Sequence, residues 1–229
     1  MDRTRRAEQV IARSTVVVGY HRYLELIADL TDGKKIIGSG MTREVVRCRA
    51  AIERALQGEE VSLVSSGDPG VYGMAGLTIE LAAEIAPELS IEFVPGVSAA
   101  NAAAGRLGAP LMLDYAVISL SDLLVPWEMI QRRLEAVAAA DMVTALYNPR
   151  SKKRVQQLET AVAIFRRHRP ESTPVGIGTA VGTPDETICL SNLGRLLAEE
   201  VNMRSIVIVG NSQTRIDRQW LVTPRGYRL

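Results

Sequence analysis

The sequence has few cysteines, histidines and aromatic residues. Its 229 residues include two cysteines, two histidines and 4% aromatic side chains. Cys48 and Cys189 lie far apart and without CxxC spacing, so neither a disulfide framework nor a structural metal site is expected. His21 and His168 are too few for a histidine-based metal centre or a Ser-His-Asp triad. We therefore expect no bound metal and no catalysis of these types.

The chain also lacks the features that direct proteins to membranes or nucleic acids. Its formal net charge is +1, and the scarcity of aromatics disfavours a stacking platform for single-stranded nucleic acid. No apolar run approaches the roughly 18–20 residues that span a bilayer. The charged residues 1–13 have no apolar signal-peptide core. We expect a cytoplasmic protein without a nucleic-acid or membrane partner.

Short β-rich runs alternate with amphipathic stretches in the first half of the chain. Strands are predicted over residues 15–19, 35–38, 61–65 and 91–94. Helices are predicted over residues 23–30, 42–56, 74–85 and 99–107. Thr42 and Ser98 are the expected N-caps of the second and fourth helices, and Gly58 ends the second. This βαβα order predicts a mainly parallel sheet with helices on its faces.

The second half of the chain has more predicted strands than helices. Strands are predicted over residues 117–120, 142–147, 175–180, 187–190, 205–209 and 221–222. Helices are predicted over residues 126–139 and 151–167. This pattern predicts a second α/β domain with a mixed sheet. We place the boundary near residue 112, which gives domains 1–111 and 112–229.

The segment SSGDPGVYG at residues 65–73 follows a predicted strand and precedes a predicted helix. Open α/β sheets bind ligands at the carboxyl ends of parallel strands. The glycines let the backbone approach a ligand, and Pro69 restricts the loop shape. Asp68 is expected to pair with a cationic ligand group or to cap the next helix. A plain turn also explains the local pattern, although a plain turn rarely needs three glycines, a proline and a tyrosine.

Two further loops could carry chemistry. VPGVSAA at residues 94–100 follows another predicted strand, and the two loops could open on one ligand site. YNPRSKKR at residues 147–154 is strongly basic, which suits an anionic substrate. A solvated helix start explains Lys152 and Lys153 equally well. A basic first turn opposes the helix dipole, which slightly favours a ligand role.

Five segments together resemble the tetrapyrrole methylases of cobalamin biosynthesis: SSGDPGVYGMAG, VPGVSAANAAAGRLGAPL, ISLSDLLVPW, LYNPRSKKR and VTPRGYRL. The similarity runs from about residue 6 to residue 229. ISLSDLLVPW, YNPRS and SGMTREVVRC are similar to the branch that methylates carbon 17 of precorrin-3B or its cobalt-containing counterpart. The resemblance implies that the reaction uses S-adenosylmethionine and is accompanied by contraction of the macrocycle.

The resemblance also implies a fold and a set of binding residues. Family members have two α/β domains with the methyl donor in the cleft between them, and they are usually homodimers. It implies methyl-donor contacts from residues of both domains, namely Gly67, Asp68, Val71, Tyr72, Ser98, Ala99, Tyr147, Asn148, Ala180, Thr223 and Pro224. Arg150 and Lys152 are expected to bind the carboxylates of an anionic tetrapyrrole, since arginine can bind a carboxylate bidentately.

Contraction of the macrocycle requires proton movement, whereas methyl transfer mainly requires positioning. The candidate proton-transfer residues are Ser119, Ser121 and Asp122, with Asp114 behind them. A role as caps for the predicted helix at residues 126–139 fits these residues equally well.

One family feature is missing from the sequence. Family members begin with a strand that ends in a Gly-x-Gly-Pro-Gly loop beside the methyl donor, and this loop would fall before Met1. Either this sequence starts after the loop or the protein lacks it; if it is truly absent, we expect an N-terminal sheet with one strand fewer, an exposed pairing edge and weaker methyl-donor binding. The alternatives are a methyltransferase for precorrin-4, uroporphyrinogen-III or ribosomal RNA, and a non-catalytic binding protein. The low net charge disfavours the RNA enzyme.

Overall fold

The computed structural model describes residues 2–228 and divides the chain into two compact units. The first unit is Asp2–Ser98 and the second begins at Ala99. The sequence placed the boundary 13 residues later, between residues 111 and 112. The difference arises because the Ala-rich helix at Ala99–Leu107 packs its buried face into the apolar core of the second unit.

The first unit contains a three-stranded parallel sheet. The strand order is β2-β1-β3, which confirms the predicted parallel pairing. Its elements are α1 (Arg5–Arg13), β1 (Val16–Tyr20), α2 (His21–Glu25), a 3₁₀ turn (Ala28–Leu30), β2 (Lys35–Ser39), α3 (Glu44–Leu56), β3 (Val61–Val64) and α4 (Ala75–Ile85).

Strand β1 is central because its three consecutive valines are buried on both faces of the sheet. Val17 packs with Ile11 on one face, whereas Val16 and Val18 pack with Ala51 on the other. Alternate side chains of a strand point to opposite faces, so a run of apolar residues suits a strand covered on both sides.

Two sequence predictions for the first unit are wrong, and one helix was missed. Residues 91–94 form no strand, because in the described part of the chain no strand forms a ladder with them and β3 pairs with β1 alone. Thr42 is not an N-cap, because it has a left-handed φ of 64° and α3 begins two residues later. Helix α1 was not predicted. Gly58, with a φ of 82°, follows α3 as predicted.

The second unit contains a five-stranded mixed sheet and a small three-stranded sheet. The order in the large sheet is β5-β6-β9-β7-β8; β5 and β6 are parallel and the other pairs are antiparallel. The small sheet has the order β10-β11-β4. The elements are α5 (Ala99–Leu107), β4 (Gly108–Ala109), β5 (Tyr115–Ser119), α6 (Trp127–Ala139), β6 (Val143–Tyr147), α7 (Gln156–Arg166), β7 (Pro174–Thr179), β8 (Thr187–Asn192), a 3₁₀ turn (Leu196–Ala198), β9 (Ser205–Val209), β10 (Arg215–Asp217) and β11 (Trp220–Val222).

Helices cover both faces of the large sheet. Leu146 of β6 packs in the cluster that includes Leu134 of α6 and Phe165 of α7. Its neighbour Ala145 points the other way and packs in the cluster that contains Ala103 of α5. Each fully buried leucine or phenylalanine stabilises the fold by about 1.5–3 kcal/mol. The carboxyl ends of β5 and β6 are thereby held on a rigid platform.

Residues 2–228 contain neither a candidate membrane span nor a candidate metal cluster. None of the helices there is both long enough and apolar enough to cross a membrane. In the same residues, no three His, Cys, Asp or Glu side chains converge as metal ligands would. Cys48 is buried and Cys189 is partly exposed, and both are free thiols.

Candidate functional site

The loop at residues 66–73 joins β3 to α4 and contains tight backbone turns. Gly67 and Tyr72 have left-handed φ values of 70° and 55°. A Cβ added to Gly73 would lie 2.6 Å from the carbonyl oxygen of Pro69, so only glycine fits there. Gly67, Val71 and Tyr72 remain exposed, and these are residues that the sequence assigned to the methyl donor.

Asp68 binds the protein backbone with both of its carboxylate oxygens. Oδ1 accepts a hydrogen bond from the amide of Gly70 at 2.8 Å, and Oδ2 accepts one from the amide of Gly96 at 3.1 Å. Asp68 does not cap α4, because Met74 occupies the N-cap position and makes no side-chain capping bond. The carboxylate therefore ties the first loop to the loop at residues 95–98.

Gly96 makes this contact between the loops possible. A Cβ at position 96 would lie 2.2 Å from the carbonyl oxygen of Gly67, a distance that real Cβ atoms do not reach. The two loops are thus adjacent, as the sequence suggested, although residues 91–94 before the second loop form no strand. Ser98 ends this loop, and its role as the N-cap of α5 stays a prediction.

In the second unit, the ends of β5 and β6 bring predicted residues together. Ser119 of β5 lies opposite Tyr147 of β6 in the parallel register. Asn148, with a left-handed φ of 50°, donates a hydrogen bond from Nδ2 to Ser119 Oγ at 3.0 Å. The hydroxyl of Tyr147 accepts a hydrogen bond from the amide of Ala100 at 2.9 Å, which satisfies a free N–H group in the first turn of α5.

The four candidate proton-transfer residues are not all neighbours. The amide of Ser121 donates to Ser119 Oγ at 3.2 Å, and Asp122 accepts a hydrogen bond from Gln157 Nε2 at 2.9 Å. Asp114 lies just before β5, so at about 3.3 Å per residue it is roughly 16 Å from Ser119. Asp114 is therefore separated from the group at the carboxyl end of the strand.

The alternative role of these residues as helix caps is also wrong. Helix α6 begins at Trp127, and Pro126 occupies its N-cap position without a side-chain capping bond. Ser121 and Asp122 lie too early in the chain to cap this helix. Their polar groups are directed instead to Ser119 and to α7, as the hydrogen bonds above show.

Arg154 is a functional candidate that sequence reasoning missed. It is 9% exposed, and Nη1 donates to the carbonyl oxygens of Leu120 at 3.0 Å and Asn148 at 2.5 Å. Burial lowers the pKa of the Arg154 guanidinium, while the nearby carboxylate of Asp122 acts to raise it. The signal in the sequence was the basic run at residues 147–154, but the run does not show which cation lies inside.

The basic run also contains Arg150 and Lys152, which the sequence assigned to an anionic substrate. Helix α7 begins at Gln156 rather than at residue 151, so Lys152 and Lys153 precede it and the helix-dipole argument for a ligand role does not apply. Arg150 is half-buried and Lys152 is exposed. Among residues 2–228, neither side chain has a hydrogen-bonding or ionic partner. Both are therefore available to an anionic ligand.

Three further residues that the sequence assigned to the methyl donor, Ala180, Thr223 and Pro224, lie in the second unit. Ala180 is 7% exposed, and its amide donates to the carbonyl of Arg204 at 3.0 Å. Thr223 is fully buried, and its hydroxyl is hydrogen-bonded to that of Thr214 at 2.8 Å. The Thr223 side chain therefore serves the fold, whereas Pro224 is half-buried and remains accessible.

This chain is similar to known proteins along most of its length. It is 44% identical over 226 residues to a "Probable cobalt-factor III C(17)-methyltransferase" of Salmonella typhimurium, with 99% of this chain and 94% of the relative covered. It is 43% identical over 229 residues to a "Cobalt-factor III methyltransferase" of Priestia megaterium. That match covers 98% of this chain but only 42% of the longer relative.

A solved structure has the same fold. The crystal structure of the methyltransferase CobJ superposes with a TM-score of 0.90 at 37% sequence identity, covering 96% of this chain and 93% of that one. The model of the family described as "Tetrapyrrole (Corrin/Porphyrin) Methylases" matches residues 2–197. The chain therefore belongs to the tetrapyrrole methylase family.

Proposed function

We propose that this protein is an S-adenosylmethionine-dependent C-methyltransferase of cobalamin biosynthesis. It methylates carbon 17 of cobalt-factor III or of precorrin-3B, and the macrocycle contracts in the same process. The proposal rests mainly on the 44% identity, across 99% of this chain, to a relative named for C(17) methylation of cobalt-factor III. The two loops joined by Asp68 in the first unit and the free cations Arg150 and Lys152 in the second unit provide the chemistry that such a reaction needs.

The residues that the methyl donor would contact fit an amphiphilic ligand. Val71 and Tyr72 are 37% and 54% exposed, and Gly67 presents its backbone beside them. Asp68 keeps this loop in shape through Gly70 and Gly96, and its contact with the methyl donor stays part of the proposal. We propose further contacts from Ser98, Ala99, Tyr147, Asn148, Ala180 and the backbone of Thr223–Pro224.

Bound S-adenosylmethionine would supply an electrophilic methyl group on its sulfonium. The leaving thioether is neutral, so the protein needs no acid for this step. Holding the reactants in place can contribute about 7–11 kcal/mol. The residues of this chain therefore act mainly by positioning, and glycines at closely packed turns keep the loops rigid.

The acceptor is an anionic tetrapyrrole whose carboxylates bind Arg150 and Lys152. An arginine side chain can hold a carboxylate with two parallel hydrogen bonds, while lysine contributes a point charge. Ser119, Ser121 and Asp122 lie near the carboxyl end of β5 and are proposed to transfer protons during contraction.

We also propose that the protein is a cytoplasmic homodimer. Size-exclusion chromatography with light scattering would test the dimer.

The decisive experiment has two parts, binding and turnover. Calorimetric titration with S-adenosylhomocysteine should show binding, and no binding at millimolar ligand would contradict the proposal. Incubation with cobalt-factor III and with precorrin-3B should add one methyl group to the substrate. Product mass and ultraviolet–visible spectra measure this addition. Methylation of uroporphyrinogen-III or precorrin-4 instead would indicate a sister activity. Binding without any turnover would indicate a binding protein.

A matched pair of variants tests the proposed substrate contact. Arg150→Gln should raise the KM for the tetrapyrrole and leave the affinity for S-adenosylhomocysteine unchanged. Arg49→Gln removes an exposed arginine of α3 in the first unit and should change neither value. Equal effects of the two substitutions would show that Arg150 contributes net charge alone.

A further inference from the structure

The hydroxyl of Ser119 has a directional hydrogen-bonding pattern. Its oxygen accepts hydrogen bonds from Nδ2 of Asn148 at 3.0 Å and from the amide of Ser121 at 3.2 Å. A serine hydroxyl has two lone pairs and one hydrogen. Both lone pairs are occupied, so the hydrogen has to be donated to a different group. No acceptor for it is found among residues 2–228.

Arg154 holds this arrangement in place from inside the protein. Its Nη1 bonds the carbonyl of Asn148 at 2.5 Å and the carbonyl of Leu120, the residue after Ser119, at 3.0 Å. The amide of Leu120 also donates to the carbonyl of Tyr147 at 2.9 Å. One guanidinium therefore fixes the residues next to Ser119 and the left-handed backbone of Asn148.

Burying the Arg154 guanidinium costs free energy, so the contacts that compensate for this cost are informative. Burying an arginine is unfavourable unless its N–H groups find acceptors, and Arg154 has no carboxylate within ion-pair distance in residues 2–228. Arg169 is a similar buried arginine that donates to the carbonyls of Gly210 and Met142, and it lies beside Asp141. Arg169 binds none of the residues around Ser119, so it offers a structural control.

We propose that Asn148 and Arg154 are positioning residues that direct the hydroxyl hydrogen of Ser119 to an oxygen or nitrogen acceptor on the bound tetrapyrrole. Ser119 then contacts the substrate as a hydrogen-bond donor. The two bonds that it accepts polarise its O–H group and strengthen the bond that it donates. This inference rests on the proposed function, because that function supplies the substrate.

Asn148→Asp tests the direction of the hydrogen bond. Aspartate also tolerates a left-handed φ and has nearly the same size. An ionised carboxylate only accepts hydrogen bonds, so it would draw the Ser119 hydrogen inward. We expect kcat to fall about a hundredfold at neutral pH, the order found on removing a catalytic hydrogen-bond donor. Activity should recover as the pH falls and the new carboxyl group is protonated, because the protonated group can donate again.

Two further variants make this result specific. Ser119→Ala should lose a similar factor of kcat at every pH, and the double variant Ser119→Ala/Asn148→Asp should show no recovery at low pH. The melting temperature, measured at each pH, identifies variants that have merely unfolded. A loss in Asn148→Asp that does not change with pH, or full activity of Ser119→Ala, would overturn the inference.

The pair Arg154→Lys and Arg169→Lys separates positioning from stability. Both substitutions replace a planar guanidinium with an ammonium that cannot reproduce the fork of hydrogen bonds. Both should lower the melting temperature, but only Arg154→Lys should lower kcat with an unchanged KM. Equal kcat losses would assign Arg154 to the fold alone. A wild-type protein that methylates no tetrapyrrole would instead refute the proposed function, and the role of Ser119 with it.

Discussion

The loops at residues 66–73 and 147–154 are held by side chains of opposite charge. In the first, the carboxylate of Asp68 accepts hydrogen bonds from two backbone amides. In the second, the guanidinium of Arg154 donates hydrogen bonds to two backbone carbonyls. In both loops, the charged side chain forms hydrogen bonds with backbone groups of the protein itself. We propose that neighbouring groups also contact the ligands: exposed backbone in the first loop and free cations in the second.

The two loops also differ in what makes the close packing possible. The first requires the absence of a side chain, because Gly96 lies against the carbonyl of Gly67. The second requires a left-handed Asn148 and a long side chain that reaches it from inside. The first loop should therefore be sensitive to added atoms, and the second to lost hydrogen bonds.

The largest effect is expected from Gly96→Ala. The added Cβ would lie 2.2 Å from the Gly67 carbonyl, so the loops must separate and the bond from Gly96 to Asp68 is lost. We expect unfolding free energy to fall by about 3 kcal/mol and S-adenosylhomocysteine affinity to fall by more than tenfold. Urea denaturation and calorimetry measure these changes.

A matched glycine provides the control for this substitution. Gly76 lies in α4 with no atom within 4 Å of an added Cβ. Gly76→Ala should stabilise the protein by about 0.5–1 kcal/mol through helix propensity. Equal responses of Gly76→Ala and Gly96→Ala would show that the contact between the loops is unimportant.

Asp68→Asn tests whether charge holds the first loop. The amide keeps one acceptor oxygen but places an NH₂ group against a backbone N–H, so one of the two bonds is lost. We expect a loss of about 2 kcal/mol in unfolding free energy and a weaker affinity for S-adenosylhomocysteine. Asp122→Asn, at an exposed carboxylate that binds one side chain, should change stability far less. Identical denaturation curves for the two variants would contradict the role of Asp68.

Thr223→Val tests a hydrogen bond between two uncharged side chains. The substitution removes a fully buried hydroxyl that is hydrogen-bonded to Thr214 and keeps the shape of the side chain. We expect a loss of about 1 kcal/mol in stability. The affinity for S-adenosylhomocysteine should stay within twofold of wild type, because the side chain does not reach the surface. A large loss of affinity would restore Thr223 as a direct methyl-donor contact.

The smallest effect is expected from Glu135→Gln, which removes an exposed carboxylate that contacts two side chains. Glu135 contacts His168 and Arg167, and these bonds lower its pKa in the folded state. A carboxylate with a lowered folded pKa stabilises the protein above its unfolded pKa, and the contribution disappears as pH falls through the folded value. The melting temperature of Glu135→Gln should therefore be slightly lower than wild type at neutral pH, and the two should converge in acid. Differential scanning calorimetry across pH checks this convergence.

The sequence predicted the parts of the fold that depend on short-range periodicity. The buried valines of β1 and the alternating elements predicted a parallel sheet, and the strand-rich second half predicted a mixed one. It also identified the loops at strand ends, because glycine is favoured at left-handed positions such as Gly67. It did not identify the failure of residues 91–94 to form a strand, since a ladder needs a neighbouring strand as well as suitable residues.

Sequence alone therefore indicated most of the helices and strands and the glycine-rich loops at strand ends. The tertiary structure alone decided how the polar residues of those loops are used. Asp68 does not cap the helix after its loop, and its carboxylate accepts a hydrogen bond from Gly96, which is 28 positions away. Arg154 is one of several cations in its run, and only folding places it beneath the carbonyl of Leu120, 34 positions away. Local spacing limits backbone conformation, whereas burial and pairing depend on residues that meet only after the chain has folded.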